Sequence, residues 1–292
     1  MKKLLSLTIL AVMLAFGANG AWAQSAGPFP VAMTDGALGP VGSVTPNSNS
    51  GEFEVYTAIN SLLGTSYTNN AQVDSLEYTG NASTWTQTTN GGYEVISVGA
   101  AASNTLEVYN AATPGTLINP IGGFTGNGAI GNGTSSSPYI GASSVFPVGT
   151  SFGFNLNSVY TPNPASIYTT PAGGYNWNSN PTLNSDGMDH MLVYNLSALN
   201  GTQVYVTDPN TGITSEVTLE NPYLLTFEDL PMGGTTGNIS DMDYNDLTVL
   251  VNGAAPVPEP VTVALFGIGL LAMAGFALRR KLSFLSNLTF AG

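Results

Sequence analysis

The chain has 292 residues, 43% of them apolar, with 18 acidic residues, five basic ones and no cysteine. The length allows one large domain or two small ones. The lack of cysteine excludes disulfides, thiol catalysis and thiolate metal sites.

The placement of charge says more than its total. The basic residues sit at the two ends: Lys2, Lys3, Arg279, Arg280 and Lys281. All the acidic residues lie between Gln24 and Leu278, so that body carries about −18 at neutral pH with ordinary pKa values. Nucleic acid is excluded as a partner, because phosphate neutralisation needs cations that the body lacks. Apart from His190, no side chain can offset a carboxylate there, so stability must come from apolar burial and backbone hydrogen bonds.

Residues 1–23 read as a secretory signal. Lys2 and Lys3 precede the apolar run Leu4 to Phe16, and Ala21-Trp22-Ala23 supplies a small-x-small cleavage site that leaves Gln24 first. Residues 24–51 are rich in Gly, Pro, Ser and Asn and predict a loose leader. A β-rich region is expected over 52–140. It opens with the ordered stretch EFEVYTAI from Glu52, followed by a short helical turn or loop. Strands are predicted at Val73 to Tyr78, Tyr93 to Val98 and Thr105 to Tyr109. Dense Gly, Pro, Asn and Ser between Thr113 and Pro138 predict a long loop or a soft boundary.

A second β-rich, acidic region is expected over 141–253. Phe152, Phe154 and Leu156 alternate with small or polar residues, as in a half-buried strand. A proline-containing loop spans Tyr160 to Asn184. Strands follow at His190 to Leu196, Gln203 to Thr207, Ser215 to Leu219, Tyr223 to Phe227 and Leu247 to Val251. Many short strands joined by Gly, Asn and Pro turns predict an all-β fold, an antiparallel β-sandwich of which a jelly roll is one form. Residues 254–260 form a Pro linker. Val261 to Leu278 is an uncharged, mostly apolar run of about 27 Å as a helix, enough to cross a membrane. Residues 279–292 begin with the basic stop Arg279, Arg280 and Lys281, which places the tail on the cytoplasmic side.

The end of the chain resembles the PEP-CTERM sorting signal of Gram-negative exported proteins. Val257-Pro258-Glu259-Pro260 stands for its motif, the apolar run for its span and Arg279 to Lys281 for its stop. Eleven residues follow Lys281, where such signals usually stop. The resemblance implies recognition by an exosortase-type membrane peptidase and a transient anchor through the C-terminal helix. It also implies release to the cell surface or the extracellular polysaccharide matrix. The body resembles domain of unknown function 4114. The resemblance rests on residues 185–190, on Phe227-Glu228-Asp229-Leu230 and on Asp241-Met242-Asp243-Tyr244-Asn245-Asp246-Leu247. It implies an exported β-rich module with an acidic, metal-binding motif and no known activity.

The chemistry concentrates in Phe227 to Leu247. Glu228 and Asp229 end one predicted strand, and Asp241, Asp243, Asn245 and Asp246 precede the next. A hairpin would bring these oxygens together without a basic partner, as a hard cation such as Ca²⁺ requires. The alternative is a solvated acidic hairpin. An EF-hand is excluded, because Asp246 replaces its glycine and Asn252 its bidentate glutamate. Asp186 and Asp189 are further candidate ligands, although Asp186-Gly187 is also turn chemistry. His190 is the only histidine, so a multi-histidine zinc site is excluded. No nucleophile elbow is present. A non-enzymatic, calcium-stabilised structural or adhesive protein associated with extracellular polysaccharide is therefore expected. The alternative is a polysaccharide-acting enzyme using paired carboxylates. Trp85, Trp177 and the tyrosines either line a sugar-binding face or pack the core.

Overall fold

The computed structural model describes residues 53–78, 82–160, 174–231, 240 and 243–257. Among these described residues ten strands form the frame: β1 (Trp85–Asn110), β2 (Leu117–Ala129), β3 (Tyr139–Ser143), β4 (Ser151–Val159), β5 (Tyr175–Asn178), β6 (Met191–Asn195), β7 (Gln203–Thr207), β8 (Thr214–Thr218), β9 (Tyr223–Phe227) and β10 (Leu247–Pro256). The protein is mostly β, as expected. The strands are hydrogen-bonded into one continuous sheet, rather than two separate ones, because β1 serves both halves.

The first part of β1 pairs with β10 on one side and β3 on the other, within the order β6-β9-β10-β1-β3-β7-β8. Its second part pairs with β2 and β4, and β4 carries β5. Trp85 and Asn110, the two ends of β1, both face Phe152 of β4. The sheet therefore curls back on itself into a small barrel with extra strands. The bend falls at Gly99 to Ser103, a run of small residues. Three residues of β1 between Ala100 and Asn104 face only one of β2, between Gly126 and Phe124. Such an irregularity bends a strand and re-aims its side chains.

Period-two alternation splits the side chains between two cores. Met191, Val193, Leu225, Phe227, Leu247, Val249 and Val251 point inward, against Trp85, Phe154, Leu156 and Trp177. Their neighbours Leu192, Tyr194, Leu224 and Leu250 point outward, where α1 (Val55–Leu63) covers them with Val55, Ala58 and Ile59.

Several expectations are corrected. Within the ordered stretch EFEVYTAI lies the start of a helix rather than a strand of the β-rich region: Val55, Ala58 and Ile59 recur at helical spacing, and Gly64 ends the helix at φ 65°. Val73 to Tyr78 is no strand either. It contains the short 3₁₀ turn Asp74–Leu76, preceded by a turn at Asn70–Gln72 in which the Asn69 side chain accepts from the Gln72 amide. The loops expected over 113–138 and 160–184 contain β2 and β5. Ala254 to Pro256 continues β10 instead of starting a linker. Trp85 and Trp177 are fully buried, so neither lies on a sugar-binding face.

Among the described residues no helix is long and apolar enough to cross a membrane. The signal and its cleavage residues Ala21, Ala23 and Gln24, the leader, Asp241, Pro258, Glu259, Pro260, the run 261–278 and Arg279 to Lys281 lie outside the described residues.

Candidate metal centre

The β9–β10 pair closes on Leu247 opposite Phe227, and the Asp246 amide donates to the Phe227 carbonyl at 3.2 Å. This register sets Glu228 and Asp229, just past β9, against Asp246, just before β10. One carboxylate oxygen from each of the three lies within 4.8 Å of the other two. Glu228 and Asp229 are fully buried and Asp246 is 9% exposed. The hairpin thus brings together acids from both sides, but it withdraws them from water.

Two like charges at that separation repel by about 3.5 kcal/mol at an effective dielectric of about 20. Burial adds a desolvation cost to each. Compensating positive charge, as a cation or as bound protons, would stabilise the arrangement. No lysine or arginine exists between residues 24 and 278 to supply it.

Neutral donors hold the frame. The Asp229 amide donates to Asp246 Oδ2 at 2.8 Å, and the Leu230 amide donates to Glu228 Oε1 at 3.1 Å. Tyr160 donates its hydroxyl to Asp229 Oδ1 at 2.8 Å. Burial, then the charges of Asp229 and Asp246, hold that phenol far above its ordinary range, so it remains a donor. Trp177 of β5 donates its indole N–H to the Asp229 carbonyl at 2.8 Å.

The bend of β1 completes the wall. Gly99 donates its amide to the Asp246 carbonyl at 3.3 Å, and a Cβ at Gly99 would stand 2.4 Å from Asn245 Oδ1. Only a glycine lets the hairpin approach β1 this closely. Asn104 donates Nδ2 to Asp229 Oδ2 at 3.3 Å and to the Asp246 carbonyl at 3.2 Å. Asn104 Oδ1 and Asn245 Oδ1 are both buried without a hydrogen-bond partner among the described residues. Buried amide oxygens of this kind belong to the donor set of a hard cation.

The other expected ligands have different neighbours. Asp243 accepts from the amide and the side chain of Asn245, at 3.3 and 2.7 Å. Asp189 accepts from the Met191 amide at 3.1 Å. Asp186 accepts from the Met188 amide at 3.0 Å and lies 2.8 Å from His190 Nε2. His190 stacks on Trp177 with centroids 3.7 Å apart, and its Nδ1 is 3.1 Å from the Glu228 carbonyl. It acts as a strut between the 186–190 loop and the end of β9. Between Asp243 and Asn245, Tyr244 holds φ 54°, unusual for a bulky side chain. Full burial and a 2.9 Å bond from its hydroxyl to the Asp189 carbonyl fix it there. Backbone strain of this kind clusters at functional sites.

Asn104, Tyr160, Trp177 and Gly99 were not recognisable as site residues from the sequence. The one local signal is the small-residue run Gly99 to Ser103, which fits a close backbone approach.

Fold and site together define a mostly-β protein with a buried carboxylate triad at a barrel corner. Beyond it, residues 256–281 match the PEP-CTERM protein-sorting motif. That motif indicates an exported protein bound for the cell surface and processed by an exosortase, a membrane peptidase. No curated protein and no solved structure matches the chain.

Proposed function

We propose that this is a non-enzymatic, calcium-stabilised protein of the Gram-negative cell surface or extracellular matrix, with a structural or adhesive role in association with polysaccharide. The observation that carries the calcium reading is the triad Glu228, Asp229 and Asp246 beside the unpartnered oxygens of Asn104 and Asn245. Together these five side chains offer enough oxygens for most of a six- to eight-ligand shell. The sequence resemblance of 227–230 and 241–247, which supply Glu228, Asp229, Asn245 and Asp246 but not Asn104, to domain of unknown function 4114 points the same way. Asp243, Asp186 and Asp189 act as supports around the ion rather than as its ligands. The sorting motif supports delivery to the surface.

Melting curves of the full chain with Ca²⁺ and with chelator test the calcium reading. An ion bound only to the native state at 100 times its Kd adds about 2.7 kcal/mol. For a body of this size that raises Tm by roughly 5–10 °C. An unchanged Tm at millimolar Ca²⁺ overturns it.

A further inference from the structure

A second feature lies on the outer face of β1, away from the carboxylate triad. Tyr93 and Val95 point into the inner core, so Glu94 between them points outward. On that face two glycines border it. Gly92 lies two residues earlier, and Gly141 of β3 stands directly opposite Glu94. The result is an open cleft of about 370 Å³ between β1, β3 and the β7–β8 hairpin.

Glu94 lines this cleft while 2% exposed, and its Oε2 has no hydrogen-bond partner among the described residues. A buried carboxyl oxygen without a partner is costly unless something else satisfies it. Around it the lining is mixed. Asn90, Ser143 and Ser215 offer neutral hydrogen-bonding groups, while Phe146, Val217 and the largely exposed Ile213 offer apolar surface. The Phe146 ring is fixed by stacking on Phe152 at 5.1 Å.

We propose that this cleft binds a neutral saccharide unit, with Glu94 hydrogen-bonding to ligand hydroxyls and Phe146 with Ile213 packing against the sugar's C–H face. The volume suits one or two rings, and the alternation of polar and alkyl groups matches a sugar's own two faces. An anionic ligand finds no cation here, since the body has no lysine or arginine. A cationic ligand finds Glu94 protonated near neutrality, because burial holds its carboxyl up to about 8. Asp208, the other acid of the lining, accepts from the Asn210 amide at 2.7 Å, which does not remove a carboxylate's charge, so a cationic control belongs in the test. The inference rests on the polysaccharide association proposed above and gives it a site. It is independent of the calcium reading.

The test is saturation-transfer NMR of the full chain with neutral gluco-, galacto- and manno-tetrasaccharides at 5 mM, and with butylammonium as the cationic control. Transfer to at least one tetrasaccharide is expected, with at least tenfold weaker binding in Ser215→Trp, which plugs the mouth from an exposed edge strand. Glu94→Leu, which keeps the volume but not the hydrogen bonds, is expected to weaken binding about tenfold. No transfer to any tetrasaccharide, binding undiminished in Ser215→Trp, or preference for butylammonium each overturns the proposal. Transfer that stays undiminished in both Ser215→Trp and Glu94→Leu overturns the cleft alone and leaves the polysaccharide association standing, whereas no transfer to any tetrasaccharide counts against both.

Discussion

Replacing Glu94 with glutamine gives a direct reading of what its burial costs. Burial raises the Glu94 carboxyl from 4.5 to about 8 in the folded protein. Between those values the unfolded chain has released a proton that the folded chain still holds. Stability contributed by this residue is therefore complete below pH 4.5, and it falls as pH rises to about 8. Each pH unit in that window costs up to about 1.4 kcal/mol, or about 5 kcal/mol across it. Tyr93 and Tyr139, which feel the Glu94 charge, are phenols that burial holds above their usual range, so they stay neutral throughout. Glutamine keeps the shape without the charge. Urea unfolding, followed through the buried Trp85 and Trp177, should give similar midpoints for the two proteins near pH 4.5. At pH 9 the Glu94→Gln midpoint should be higher by about 2 M, for a slope of 2–3 kcal/mol/M. A difference that is the same at both pH values would refute the burial argument.

Other substitutions probe the remaining features. Asp246→Asn removes a triad charge while keeping an acceptor for the Asp229 amide, and should abolish most of the Ca²⁺-dependent Tm rise. Gly99→Ala pushes on Asn245 Oδ1 and should lower Ca²⁺ affinity at least tenfold by calorimetric titration, with the β spectrum of the protein unchanged. Trp177→Phe leaves the buried Asp229 carbonyl without its indole donor and should cost about 1–3 kcal/mol in urea unfolding. Glu259→Ala breaks the Pro-Glu-Pro of the sorting motif and should leave the protein in the membrane fraction instead of releasing it, as read by cell fractionation.

The sequence displays those parts of the fold in which a strand buries one face or carries an apolar run. Gln203–Thr207 and Tyr223–Phe227 have the predicted bounds because their alternating or continuous apolar residues match the pleat. What escaped reading follows from composition. In β2, glycines occupy Gly122, Gly123, Gly126 and Gly128, so sheet pairing with β1 holds a segment whose residues signal a loop. Val55–Leu63 mixes β-branched and polar residues, and its helix is stabilised by the outward face of β6, β9 and β10. The Glu228, Asp229 and Asp246 triad was legible because a hairpin register joins Glu228 and Asp229 to an acid only 18 and 17 positions on. Asn104 and Trp177 were not, because their approach depends on a bend in β1 and on a strand within a predicted loop. The burial of the triad was also hidden. An acidic run looks solvated until the barrel corner that covers it is known.

Diffraction from crystals grown with Ca²⁺, recorded at a wavelength where calcium scatters anomalously, tests the central claim most directly. A single peak 2.3–2.6 Å from oxygens of Glu228, Asp229 and Asp246, with Asn104 or Asn245 completing the shell, is the expected result. Absence of any peak among the three carboxylates at 10 mM Ca²⁺ would contradict the account.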